Sequence, residues 1–175
     1  MPATASTLEL LSPAGNWDCA RAAVVAGADA VYFGLPGFNA RLRADNFTAA
    51  DLPELVGFLH RHGVRAVVTM NTLVFTAELE AAEAQLRMLA SAGVDAVIVQ
   101  DLGLARMAME FAPSVDLHAS TQMTITSPEG LAFVESLFPI RRAVLARELS
   151  IQDISRFRSA PLNTDNFKLE TPLEV

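Results

Sequence analysis

The segment DLHASTQMTIT, Asp116 to Thr126, carries His118, Ser120, Gln122 and Thr124 at every second position of a β-branched run flanked by turn residues. Read as a strand, it sends those four side chains to one face and Leu117, Ala119, Thr121 and Met123 to the other. An imidazole beside hydroxyl and amide groups can move a proton, ligate, or simply hydrogen-bond its neighbours. Similar residues recur along the chain: Asn39 and Arg41 in FNARL, Asn71 in TMNT, Gln100-Asp101 in VIVQDLG, and Arg147-Glu148 in LARELS. A guanidinium matches carboxylate and phosphate geometry, so Arg147 either binds an anion or closes an ion pair with Glu148. His118, Arg147 and Glu148 are the candidates for catalysis. Asn39, Arg41, Asn71, Gln100, Asp101, Ser120 and Gln122 are the candidates for substrate binding. The competing reading is structural, since polar groups buried in a barrel often satisfy one another.

These residues need a frame, and a repeated phrase supplies it. AGADAV at Ala26–Val31 returns as AGVDAV at Ala92–Val97, more loosely as HGVRAV at His62–Val67, and in part as RRAV at Arg141–Val144. Each time a helical pattern stops and a Val-rich run begins, and in the first three copies the Gly suits the left-handed position after a helix. The spacing is roughly thirty residues, the size of one βα unit. Between the marks the apolar residues follow helical spacing, as in Leu52, Leu55, Val56 and Leu59, or Leu79, Ala82, Leu86 and Leu89. Thr48, Thr76 and Ser127-Pro128-Glu129 are suited to starting helices.

The expected order is strand Leu8–Leu11, a helix from Trp17, strand Ala30–Leu35, a helix from Ala49, strand Ala66–Leu73 and a helix from Ala77. Then follow strand Ala96–Gln100, helix Leu104–Phe111, strand Leu117–Thr124, a helix from Pro128, strand Ala143–Arg147 and helix Ile151–Phe157. Strict alternation means a parallel sheet, either doubly wound or part of a (β/α)₈ barrel. Polar residues at one strand end after another favour the barrel, where chemistry sits at the C-terminal ends of the strands. The fold class expected is an incomplete TIM-like (β/α) barrel of roughly six βα units, with parallel strands in chain order. Residues 1–159 form this barrel portion. Residues 160–175 read as a linker and the start of a truncated next strand at Leu173–Val175. With edge strands and lumen uncovered, homo- or hetero-oligomers are expected.

Composition narrows the function. The net charge of −7 argues against non-specific binding to a phosphate backbone, while leaving room for a local basic site. No run of about 18 apolar residues and no signal-peptide pattern occurs, so no membrane association is expected. The single cysteine, Cys19, fits the cytoplasm and reads as a small packed residue in an Ala-rich helix. No Gly-rich phosphate loop, GxSxG elbow, HExxH or cysteine pair at metal spacing occurs, so no metal site is expected and the motifs name no reaction.

Taken together, LLSPAGNWDCARAAVVAGADAVYFG, FNARLRADNF, VTMNTLVF, VDAVIVQDLG, LHASTQMTITSPEG and AVLARELS resemble peptidase family U32, in order, from Leu10 to Ile154. The resemblance implies a TIM-like barrel. Members are called collagenase-like peptidases, while relatives act in hydroxylation: of tRNA to 5-hydroxyuridine using prephenate, of an rRNA cytidine, or of ubiquinone precursors. It therefore implies an RNA or a peptide substrate for the full-length protein, with RNA base hydroxylation the first reading. The alternatives are a protease and a non-catalytic truncated or partner subunit. Several members carry an iron–sulfur cluster on cysteines that follow a phrase LEVFVHGALC. This sequence reaches that phrase only at Leu173-Glu174-Val175, so the ligands are expected outside this chain.

Overall fold

A computed structural model describes residues 8–40 and 46–159, with the side chains of 158 and 159 excepted. Arg41 and the expected strand at Leu173–Val175 lie outside the described residues. Six strands, β1 (Leu11–Pro13), β2 (Ala30–Gly34), β3 (Arg65–Met70), β4 (Ala96–Val99), β5 (Asp116–Ala119) and β6 (Ile140–Ala143), form one sheet. All are parallel and lie side by side in chain order. Helices α1 (Trp17–Val25), α2 (Leu52–Arg61), α3 (Leu79–Ser91), α4 (Leu102–Phe111), α5 (Pro128–Leu137) and α6 (Ile151–Ser159) follow the strands in turn. The result is the curled (β/α) half-barrel that the alternation predicts.

The repeated phrase explains why the strands begin where they do. Gly27, Gly63 and Gly93 hold φ of +83°, +71° and +76°, the left-handed turn that ends α1, α2 and α3. Two residues on, Asp29 accepts a hydrogen bond from Leu10 N at 2.7 Å, and Asp95 accepts one from Ala66 N at 2.7 Å. Each carboxylate thus fastens its own strand to the entry of the preceding one. In the loose copy the same position is Arg65, which serves the lumen instead.

One face of the sheet packs on the helices. Val31, Phe33, Val68, Met70, Val97, Val99, Leu117 and Ala119 belong to this core together with Leu52, Leu55, Leu59, Leu86, Leu89 and Leu104. An aromatic cluster seals it at α1 and α2, with Phe47 edge-on to Trp17 at 5.8 Å and to Phe33 at 5.4 Å. The other face is a separate small cluster of Ala30, Val67, Ala96 and Ile98, flanked by Leu11 and Tyr32. This is the lumen face. Among the described residues no helix is long and apolar enough to cross a membrane.

Several local expectations need correction. The strand expected over Leu117–Thr124 ends at Ala119. Ser120 then accepts a hydrogen bond from Gln122 N at 3.2 Å and starts a 3₁₀ turn over Thr121–Met123, closed by Thr124 at φ 56°. The hydroxyl competes with ladder pairing by offering the backbone a local partner. The strand expected over Ala143–Arg147 lies at Ile140–Ala143, so Arg147 and Glu148 stand in the exposed turn beyond it. The first strand begins at Leu11 rather than Leu8, and the third ends at Met70. Thr48 does not cap α2 directly but exchanges hydrogen bonds with Asp51, while Ser127 caps α5 through Gly130 N at 3.1 Å. Cys19, expected to pack, is exposed on the outer side of α1.

Candidate functional site

Register partners in a parallel sheet point to the same face, so the lumen can be read row by row. The lower row is Tyr32, Val67, Ala96 and Asp116. The row above it is Gly34, Thr69, Ile98, His118 and Arg142. Between β5 and β6 the pairing passes from Leu117–Ile140 to His118–Arg142, so Arg141 is an extra residue, and it is exposed. The bulge is what brings Arg142 into the lumen beside His118.

At the foot of the lumen Glu9, just before β1, accepts hydrogen bonds from both Arg65 and Arg142. Burial works to raise the Glu9 pKa. The hydrogen bond from Arg142 and the charges of Arg65 and Arg142 outweigh it and hold the carboxylate below its ordinary range. Two guanidinium groups share this one carboxylate, so the group carries a net positive charge in a chain that is negative overall.

His118 is 3% exposed. Burial first, then the charges of Arg142 and Arg65, push its pKa down to about 3, against the opposing pull of Glu9. The imidazole is therefore neutral near pH 7, with one nitrogen donating and the other accepting. Its Nδ1 is buried and finds no hydrogen-bond partner among the described residues. Such an orphan inside a structure asks for a function or a ligand.

The rim is built differently. Asn39 is 1% exposed; its side chain donates to Asn46 Oδ1 at 3.0 Å, and its Oδ1 lies 3.1 Å from the Thr69 hydroxyl. Gly34 makes this seat, because a Cβ there would stand 1.8 Å from Asn39 Nδ2. Asn71 Oδ1 accepts from Ala40 N at 3.1 Å. Asn39 and Asn71 thus fasten the two sides of the segment that leads from β2 towards α2. Asp101 caps α4, accepting from Leu104 N at 2.8 Å. Ser120 is buried, with its oxygen turned to the Gln122 amide. Gln100 is half-buried, while Gln122, Arg147 and Glu148 are exposed.

Of the residues singled out in the sequence, the lumen wall therefore holds His118. Asn39, Asn71, Asp101 and Ser120 have structural partners near the strand ends, and Arg147 and Glu148 lie in the loop after β6. Sequence reasoning missed Glu9, Arg65, Thr69 and Arg142. A signal existed for two of them: Arg65 replaces the Asp of the repeated phrase, and Arg142 stands in a strand-forming run.

The iron–sulfur cluster that the family resemblance implies needs several thiolates. This sequence has one cysteine, and among the described residues no group of three or more His, Cys, Asp or Glu could hold a metal ion. These residues do not fit the cluster, and no chemistry of this chain is routed through it.

Comparison with known proteins gives a consistent pattern. The model of Peptidase family U32 matches residues 15–172. The 23S rRNA 5-hydroxycytidine C2501 synthase of Escherichia coli (strain K12) is 42% identical over 175 residues, which is 100% of this chain and 26% of that protein. The tRNA hydroxylation protein P1 of Bacillus subtilis (strain 168) is 35% identical over 150 residues, 86% of this chain and 35% of that one. The chain thus spans about a quarter to a third of the length of these relatives. The solved structure of the U32 peptidase Mk0906 superposes with a TM-score of 0.71 at 15% identity, over 91% of this chain and 67% of that one. At that identity the likeness speaks for the half-barrel fold alone.

Proposed function

The chain belongs to peptidase family U32, and from that premise we propose that it is the N-terminal barrel portion of a protein that hydroxylates RNA bases in the cytoplasm. The products would be of the rRNA 5-hydroxycytidine or tRNA 5-hydroxyuridine type. The observation that carries this reading is the 42% identity, over every residue of the chain, with a 23S rRNA 5-hydroxycytidine synthase. The lumen supports it. A neutral imidazole offers a donor and an acceptor to a polar substrate, and the surplus guanidinium charge suits an anionic co-substrate such as prephenate, a dicarboxylate. His118 is the proton-handling group in this reading. Arg147 and Glu148 lie in the loop after β6, as loop contacts to a larger substrate would.

The test is mass spectrometry of rRNA and tRNA nucleosides from a strain lacking the gene, complemented by the full-length gene with and without His118→Ala. Loss of a hydroxylated pyrimidine, restored by the wild-type gene and not by the variant, is the expected result. Unchanged nucleosides, with peptide hydrolysis by the full-length protein, would replace this reading with the peptidase one. Unchanged nucleosides and no hydrolysis would point to a non-catalytic subunit.

A further inference from the structure

We propose that Arg142 and Glu9 are positioning residues for His118, setting the charge field in which the imidazole gains or loses its proton, from the neighbouring strand and from across the half-barrel. This rests on, and deepens, the reading of His118 as the proton-handling group of the lumen.

The geometry comes first. Without the bulge, the β5–β6 register would run on from Leu117–Ile140 to His118–Arg141 and turn Arg142 toward the helices, since strand side chains alternate. The bulge reverses this, which is the usual work of a bulge beside a functional group. Arg141, which is exposed, reaches Asp116 at 3.6 Å and so balances the acidic residue two positions before His118 on the same strand.

Next comes restraint. The Arg142 side chain is 3% exposed and is hydrogen-bonded to Glu9, which is also bonded to Arg65 on β3. A guanidinium held in this way by a shared carboxylate has little rotamer freedom. It therefore presents a fixed positive field to its register partner.

His118, in contrast, has an Nδ1 with no hydrogen-bond partner among the described residues. No bond at that nitrogen fixes its state, so the surrounding charges do. The groups that face it are Arg142 from β6, Arg65 from β3 and Glu9 from the entry to β1. The two arginines disfavour protonation and the carboxylate favours it.

These opposite signs give a test that simple loss of packing cannot mimic. The imidazole of His118 is titrated by NMR in the full 175-residue chain with labelled histidine. Arg142→Met should raise the proton affinity of His118 at least fivefold. Arg142→Lys should bring it back to within fivefold of wild type, and Glu9→Gln should leave it unchanged or lower it. A rise under fivefold in Arg142→Met, or no rescue by Arg142→Lys, would overturn the proposal. So would a rise in Glu9→Gln, because loosened packing drives a buried histidine toward its ordinary value whichever partner is removed. If Arg142→Met does not fold, the sign of the Glu9→Gln shift decides alone. The readout is the imidazole itself, so failure of the RNA reading, seen in nucleosides, stays distinguishable from failure here.

Discussion

Glu9 and Arg142, 133 positions apart in the chain, are hydrogen-bonded to each other across the foot of the lumen. One precedes the first strand of the sheet and the other lies on the last, so the contact ties together the two edges of the curl. Removing Glu9 would take one carboxylate partner from a guanidinium whose side chain is 3% exposed. Breaking a buried pair from one side costs about 3 kcal/mol or more. Arg65, the carboxylate's other partner, has a side chain that is 38% exposed and can return to water. Glu9→Ala is therefore expected to destabilise the chain by about 3 kcal/mol, and Arg65→Ala by under about 1 kcal/mol. Urea unfolding of the two variants measures the contrast; equal losses would mean that Arg142 is not the group Glu9 serves.

The fold was legible where the repeated phrase spoke. Strands β2 and β4 begin at Ala30 and Ala96, each three residues after a Gly that ends a helix, and both were read from sequence almost to the residue. The end of β5 and the start of β6 were not. Period-two alternation assumes a continuous strand, and it cannot see that Ser120 will bond its own backbone or that Arg141 will bulge. The same blind spot hid the lumen charges. Arg142 reaches the inner face only because a residue is inserted before it, and Glu9 meets it only through the curl of the whole sheet. His118 was visible because β5 itself runs unbroken from Asp116 to Ala119, the extra residue lying on β6.

Gly34 and Asn39 give a second prediction. A methyl group at residue 34 would overlap the Asn39 amide, 1.8 Å from Nδ2 and 2.6 Å from Cγ. Asn39 would have to leave a seat where it meets Thr69 and Asn46. Gly34→Ala is expected to cost about 1–3 kcal/mol, the range for overpacking. It should also release the Ala40 N–H that Asn71 holds nearby. Hydrogen exchange at Ala40, faster in the variant while β4 amides stay protected, is the check. Unchanged protection would show that the rim does not depend on this close approach.

The repeated aspartates should differ in worth. Asp29 receives the amide of Leu10 among exposed groups, while Asp95 receives the amide of Ala66 and also lies 2.8 Å from His60 Nε2. A hydrogen bond to a charged group is worth about 1.5–3 kcal/mol, less where water competes. Asp95→Ala is expected to lower stability by about 2 kcal/mol and Asp29→Ala by about 1 kcal/mol. Thermal and urea unfolding should rank them in that order, and the reverse order would assign the strand entry at β1 the greater weight.

Acid stability has two opposing contributors. The folded pKa of His118 is about 3 against 6.5 for the free group, so between these values the unfolded chain binds the extra proton. Stability from this group is complete above pH 6.5 and is lost as pH falls toward 3, by on the order of 5 kcal/mol at about 1.4 kcal/mol per pKa unit. Glu135 on α5 works the other way. Its carboxyl oxygens are buried with no hydrogen-bond partner among the described residues, and burial raises its pKa from 4.5 to about 7. The folded chain then holds a proton that the unfolded chain gives up, so stability is lost as pH rises from 4.5 to 7, by no more than about 3 kcal/mol. Between pH 4.5 and 6.5 the two slopes largely cancel. Below 4.5 the histidine is joined by Glu9, whose carboxylate is held below its ordinary range, and stability should fall steeply. His118→Gln is expected to flatten that acid limb, and Glu135→Gln to expose a rising slope from pH 4.5 to 6.5. Denaturant unfolding across this range separates them. An acid limb that survived in His118→Gln would mean that carboxylates elsewhere, not the lumen histidine, govern acid unfolding.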